Sequence, residues 1–193
     1  MLLGTVLAGL LTAVAWAPPA GAHAGHAGAT VEFIKHRQAL KALLPSGARI
    51  SKRKQRLHEE AKTWAERAFG VELPGGVHAF YLARDRASGA ILGGALVRDE
   101  PYRHGKARIA IGLDTEGRLT GLGIVAASKK YTVDFAAIGH GMLAGFTGLS
   151  LEEAYRRARE RWGTETLTAR RAAEWLRRDG ALLAALLRQA RER

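Results

Sequence analysis

Thr166 and Thr168 stand two residues apart at the head of a run with helical spacing, and Arg170 and Arg171 follow within one turn. A helix that begins there turns free amides and the positive end of its dipole toward Thr166, and the guanidinium groups add charge-assisted donors. Binding of a phosphate is the chemistry these residues suit. The same threonines serve equally well as plain helix caps, and the residues alone leave both readings open. A second concentration of polar groups runs Lys129-Lys130-Tyr131-Thr132-Val133-Asp134 and on to Gly139-His140-Gly141. Its glycines let backbone approach a flat ligand closely, although the stretch also reads as a connector with solvated lysines. His23 and His26, within His-Ala-Gly-His, have a spacing that copper or zinc can use. There is no Ser/His/Asp arrangement, HExxH, P-loop or GxGxxG, and no carboxylate pair stands out for acid–base work.

The elements that must carry these groups follow from periodicity and turn residues. Phe33, Ile34, Leu40, Leu43 and Leu44 predict a helix over Glu32–Leu44, stopped by Pro45-Ser46-Gly47. Ser51 predicts the cap of a second helix running to Phe69 and ended by Gly70. Val77–Arg84 and Ile91–Val97 flank a turn at Asp85–Gly89 and read as a hairpin; Ala107–Asp114 and Arg118–Ser128 flank Thr115-Glu116-Gly117. Four consecutive strands predict an antiparallel meander. Ser150 and Glu153 form a capping box at the head of a helix to Trp162. Thr166 or Thr168 caps the next helix, which is expected to stop at Asp179-Gly180, before a last one from Ala181 to Gln189. The expected class is α+β, with N-terminal helices, a meander of about four strands and C-terminal helices.

Composition limits what such a fold can do. The chain has 193 residues and no cysteine, which excludes disulfides, thiolate metal sites, iron–sulfur clusters, CxxCH haem attachment and cysteine nucleophiles. Any redox chemistry needs a non-thiol cofactor. Residues 1–24 carry no charge, and Leu2–Ala17 is an almost unbroken apolar run ending at Pro18-Pro19. This length suits a secretory signal cleaved after Ala22-His23-Ala24, with a retained anchor as the alternative. Residues 25–31 are expected to be a Gly/Ala linker and residues 32–193 a single domain. The formal charge of +12 is concentrated: Lys35 to Lys62 holds nine Lys/Arg against two acids. For an exported protein, nucleic acid is not the expected partner. An anionic membrane surface, an acidic redox partner or a bound phosphate is.

The order of features resembles the extracytoplasmic FMN-binding domain, the flavin-carrying subunit of Rnf-type and sodium-pumping NADH:quinone reductases. The resemblance runs from Lys41 to Leu187 and lies in Leu43-Leu44-Pro45, the hairpin Ile111–Ala126, Phe146-Thr-Gly-Leu-Ser-Leu151 and Gly163-Thr-Glu-Thr-Leu-Thr-Ala-Arg170. In that family Ser-Gly-Ala-Thr-x-Thr-Ser follows the helix, and its first threonine can carry FMN through a phosphoester. The resemblance therefore implies FMN at Gly163, Thr166, Thr168 and Arg170, with Thr166 as the attachment residue. It also implies a ring-covering loop made of Tyr131, Thr132, Gly139, His140 and Gly141, with Lys129 or Lys130 favouring the reduced flavin. Thr164 and Glu165 replace the family Gly-Ala, and a carboxylate beside a phosphate costs Coulomb energy, which weights noncovalent or absent flavin slightly above covalent attachment at Thr166. The implied function is membrane-associated electron transfer outside the inner membrane, with a membrane redox complex or another electron-transfer protein as partner. The alternatives are a non-flavin basic binding module on the membrane surface, or an exported metal-handling or sensor protein that uses the N-terminal histidines. A redox carrier or oxidoreductase subunit is expected ahead of a stand-alone enzyme.

Overall fold

Strands rich in β-branched and small residues between Val77 and Ser128 build the centre of the protein, and helices cover them from both sides. The structure is a computed structural model describing residues 28–192. Among these residues the chain runs β1 (Thr30–Glu32), α1 (His36–Leu43), β2 (Arg49–Arg56), α2 (Glu59–Phe69), β3 (Val77–Arg84), β4 (Ile91–Tyr102), β5 (Gly105–Asp114) and β6 (Leu119–Ser128). A 3-10 helix (Lys129–Phe135), β7 (Gly141–Met142), α3 (Leu151–Trp162) and α4 (Leu167–Arg191) follow. The expected signal or anchor, and with it His23 and His26, lies outside the described residues.

The class is α+β, and the sheet is antiparallel with seven strands instead of about four. Its order is β1-β6-β5-β4-β3-β2, with β7 also pairing β6. The expected meander is its central part, β3 to β6. Asp85 ties the first turn by accepting from the amides of Ala87 and Ser88 at 3.0 and 2.7 Å. Asp114 ties the second by accepting from Glu116 and Arg118 at 2.8 and 2.9 Å. β1 and β7 take opposite ends of the free edge of β6, so Thr30 and Val31 belong to the sheet and not to a linker.

Two helix expectations are corrected. Residues 49–56 are an edge strand: Arg49 to Arg56 pair in unbroken register with Arg84 to Val77, and the helix begins only at Glu59. Arg-Ile-Ser-Lys-Arg-Lys-Gln-Arg contains one large apolar residue, so its side chains display no period, and the strand is fixed by β3 alongside. Gly180 does not end a helix either. α4 runs unbroken for 25 residues through it, because a Cβ at position 180 would overlap Leu151 Cδ2 of α3. Close crossing of two helices selects glycine there against its poor propensity. The capping box forms as expected, with Ser150 accepting from the Glu153 amide at 3.3 Å and the Glu153 carboxylate accepting from the Ser150 amide at 2.9 Å.

α2, α3 and α4 cover one face of the sheet around Phe80, Leu82, Ile109, Ile111, Leu176 and Leu183. α1 covers part of the other through Ala39 and Leu43, packed on β4, β5 and β6. Buried charge sits between β4 and α4. Glu100 and Asp179 are both almost inaccessible, and Arg178 pairs with both while Arg98 lies 3.3 Å from Glu100 and 3.6 Å from Asp179. Burial, then the Glu100 charge, pushes the Asp179 carboxyl up to about 6.

Candidate functional site

α3 ends where Gly163 takes φ 71° and ψ −174°, a conformation that only glycine enters without strain. This bend delivers Thr164, Glu165 and Thr166 to the head of α4. Thr166 is the cap, its side-chain oxygen accepting from the Ala169 amide at 3.1 Å, and it is exposed. Leu167 and Thr168 occupy the first turn, where amides have no acceptor within the helix. Arg170 folds back and donates to the carbonyls of Thr164 at 2.8 Å and Glu165 at 3.0 Å, so its charge lies against the segment that precedes the helix. Arg171 instead pairs with Glu174 at 2.9 Å.

Thr168 differs from Thr166. It is 4% exposed, and its hydroxyl lies 2.7 Å from the Tyr102 hydroxyl. Tyr102 donates to Asp134 at 2.8 Å. A phenol has one proton, so the Thr168 hydroxyl must be the donor to Tyr102, and the chain reads Thr168 to Tyr102 to Asp134. The ring of Tyr102 packs edge-on against Tyr131 at 5.4 Å and against Phe135 and Trp175 at 5.0 and 6.1 Å. Arg103 follows in the two-residue turn between the paired Tyr102 and Gly105, with φ 51°. Left-handed backbone is what a tight hairpin turn demands. Its guanidinium lies 5.7 and 5.8 Å from the Tyr102 and Tyr131 ring centres and 3.3 Å from Asp134. Tyr102 first, then Asp134, holds its pKa above the ordinary value. Lys130 sits 5.0 Å over the Tyr131 ring.

The result is a corner of two tyrosines, two cations and one carboxylate beside the head of α4, assembled from three separate stretches of chain. Of the expected loop residues, Tyr131 belongs to this corner, and Thr132 donates to the Lys129 carbonyl at 3.1 Å within the 3-10 turn. Gly139 and Gly141 have φ 89° and 72°, so both positions need glycine. They hold His140 elsewhere, however. His140 stacks on Phe33 at 4.5 Å and Gly141 pairs with Ile124, at the edge where β1 and β7 meet β6. Among the described residues no hydrogen bond or ring contact joins residues 139–141 directly to Tyr102, Thr166 or Thr168.

Tyr102 and Arg103 are the residues that pattern reading missed. Their signal is the pair Arg103-His104 between Tyr102 and Gly105, a hairpin turn masked by Glu100-Pro101 just before it. On the far side of Thr164, a cleft of about 920 Å³ lies between α3 and the turn joining β5 to β6. Arg118, Tyr155, Arg156 and Arg159 line it together with four glutamates, and it does not include Thr166, Tyr102 or Tyr131. The described residues contain no group of three His, Asp or Glu side chains able to hold a metal ion. Comparison with family models, with curated proteins and with solved structures gives no match to this chain.

Proposed function

We propose that this protein binds FMN and carries electrons beside a membrane redox complex on the outer side of the cytoplasmic membrane. The observation that supports the reading is the hydrogen-bond chain Thr168–Tyr102–Asp134, which unites the phosphate-suited helix head with the loop that the family resemblance assigns to the flavin ring. Residues 37 positions apart in sequence, Tyr131 and Thr168, thereby border one corner. The groups present fit a phosphate monoester: two first-turn amides, the exposed Thr166 hydroxyl and the positive end of a long helix. Bound FMN supplies a redox centre that the side chains lack.

The side chains have separate tasks. Thr166 and the amides of Leu167 and Thr168 hold the phosphate, and Arg170 offsets the Glu165 charge beside it. Tyr131 presents an aromatic edge to the ring, with Lys130 and Arg103 supplying positive potential that favours the reduced, more negative flavin. Tyr102 fixes the spacing between phosphate and ring by holding Thr168 and Asp134 at once. Thr168, buried and already bonded, is no attachment point; Thr166 is the accessible hydroxyl. Glu165 keeps noncovalent binding favoured over the ester. No helix among the described residues is long and apolar enough to cross a membrane.

Titration of the purified chain decides the reading. FMN is expected to bind in the micromolar range and riboflavin much more weakly, since the phosphate contacts supply the discrimination. A folded protein that binds neither at tens of micromolar overturns the flavin assignment. Intact mass after co-expression with a flavin transferase separates the two modes of attachment. A gain of one FMN less one water that disappears in Thr166→Val and persists in Thr168→Val marks the ester.

A further inference from the structure

Between Phe33 and His58 the chain has eight Lys or Arg residues and no acid. None of the eight forms an ion pair within the described residues. The fold divides those of β2: Arg49 and Arg53 share the face of Phe80 and Leu82, and Lys52, Lys54 and Arg56 lie on the other. In β2 the residues opposite Ala83, Tyr81, Ala79 and Val77 are Ile50, Lys52, Lys54 and Arg56. Tyr81 and Ala83 belong to the apolar cluster beneath α1, which places this whole row on the same face of the sheet as α1. α1 packs over β4 to β6 and Ala83 is fully buried, which leaves bare the part of that face formed by Lys52, Lys54, Arg56, Val77 and Ala79. Its own buried residues are Ala39 and Leu43, so Arg37 and Lys41, half a turn round, point away from the sheet. The Tyr81 hydroxyl binds His36 at 2.8 Å, so the head of α1 adjoins the bare part, and burial, then Arg108 and Lys52, lower the His36 pKa.

Two large apolar side chains interrupt this basic surface. Ile50 is 43% exposed at one end of the row and Val77, beside Arg56 at the other end, is 58% exposed. We propose that the bare β2–β3 face docks this protein on an anionic phospholipid surface, with Lys52, Lys54 and Arg56 among the headgroups and Val77 and Ile50 at the acyl boundary. Charge complementarity identifies the occupant. The cations recur every second residue, about 6.6 Å apart along the strand, so they meet a continuous negative surface together and not a single anion. A second copy of this edge would bring like rows together and is repelled. Long flexible stems capped by charge, flanking exposed aliphatic groups, suit a fluid interface. The docking is independent of whether flavin is bound.

The full chain reconstituted with vesicles tests the proposal. Because it has no cysteine, Val77→Cys gives a single point for an environment-sensitive dye. Val133→Cys, at a position 76% exposed on the 3-10 helix that contacts β1 and β6, at the other end of the sheet from β2, gives the control. With phosphatidylcholine vesicles containing phosphatidylglycerol, the dye at position 77 is expected to shift to the blue, and added salt is expected to reverse the shift. Neutral vesicles and the dye at position 133 are expected to show no change. Lys54→Gln should weaken the response about fivefold, and Lys52→Glu/Lys54→Glu/Arg56→Glu by a hundredfold or more, on the order of a fivefold factor per surface cation. Equal shifts with neutral vesicles, no shift at position 77, or insensitivity to Lys54→Gln would each overturn the proposal. A shift produced by soluble polyglutamate and not by vesicles assigns the face to an acidic protein instead.

Discussion

Tyr102 links Thr168 and Asp134 across the candidate site, and like Arg103 it was passed over by pattern reading. Thr166, Thr168 and Tyr131 were legible because a helix head needs caps and a loop after an apolar strand invites a ligand. Tyr102 carried no such mark, since its role depends on partners 32 and 66 residues away. Removing its hydroxyl should therefore show in stability before function is considered. Tyr102→Phe leaves the Thr168 hydroxyl buried without its acceptor, at a cost of about 1–3 kcal/mol. Pairing it with Thr168→Val removes the stranded group, so the double variant should lose less than the sum of the singles in urea unfolding. Strict additivity would mean that the two hydroxyls are not coupled. His140 is the converse case: its glycine neighbours are expected to let backbone approach a flat ligand, whereas they have positive φ and His140 stacks on Phe33, away from the corner at Tyr102.

Secondary structure was legible wherever the local signal and the tertiary surroundings agreed. The capping box at Ser150, the left-handed Gly70 that ends α2 and the two Asp-tied turns formed as read. β1 and β7, three and two residues long, are too short to carry a pattern. β2 has charge where a period would be, and its conformation is imposed by β3. Gly180 was read as a stop because local propensity says so, whereas its true constraint is Leu151 on another helix. This has a measurable consequence. Gly180→Ala improves helix propensity by about 1 kcal/mol yet forces a methyl group into a buried leucine, a penalty of about 1–3 kcal/mol. A lower thermal midpoint is expected. In Leu151→Ala the same substitution at 180 should become neutral or stabilising, and a double-mutant cycle with no coupling would show that the crossing is not tight.

At the level of the folded protein, the buried charges between β4 and α4 set how stability responds to acid. Asp179 holds its proton up to about pH 6 when folded, against an ordinary value of 3.8. Between those values the folded state carries a proton that the unfolded chain has released, so this group's contribution falls as pH rises from about 4 through 6 and stays level above. Two units correspond to about 2–3 kcal/mol. His36 and His78 act in the opposite sense. Burial first of all lowers both below 6.5, so their contribution grows as pH rises toward 6.5. The difference between the parent and Asp179→Asn therefore isolates the carboxyl. In urea titrations the parent should lose stability relative to the variant between pH 4 and 6, and parallel profiles would show that Asp179 ionises normally.

α4 lies along the molecule from Thr168 against Tyr102 at one end to Gln189 at the other, where the buried amide accepts from the His58 backbone and donates to the Arg56 carbonyl, both at 3.0 Å. Every strand whose apolar face it covers is synthesised before it. During translation the sheet of β3 to β6 must consequently wait with Ile109, Ile111 and Leu82 in water until the last turns of α4 have left the ribosome. Folding of the core is thus tied to the emergence of α4. Loss of those turns takes with it the clasp on the end of β2 as well as the lid on the sheet.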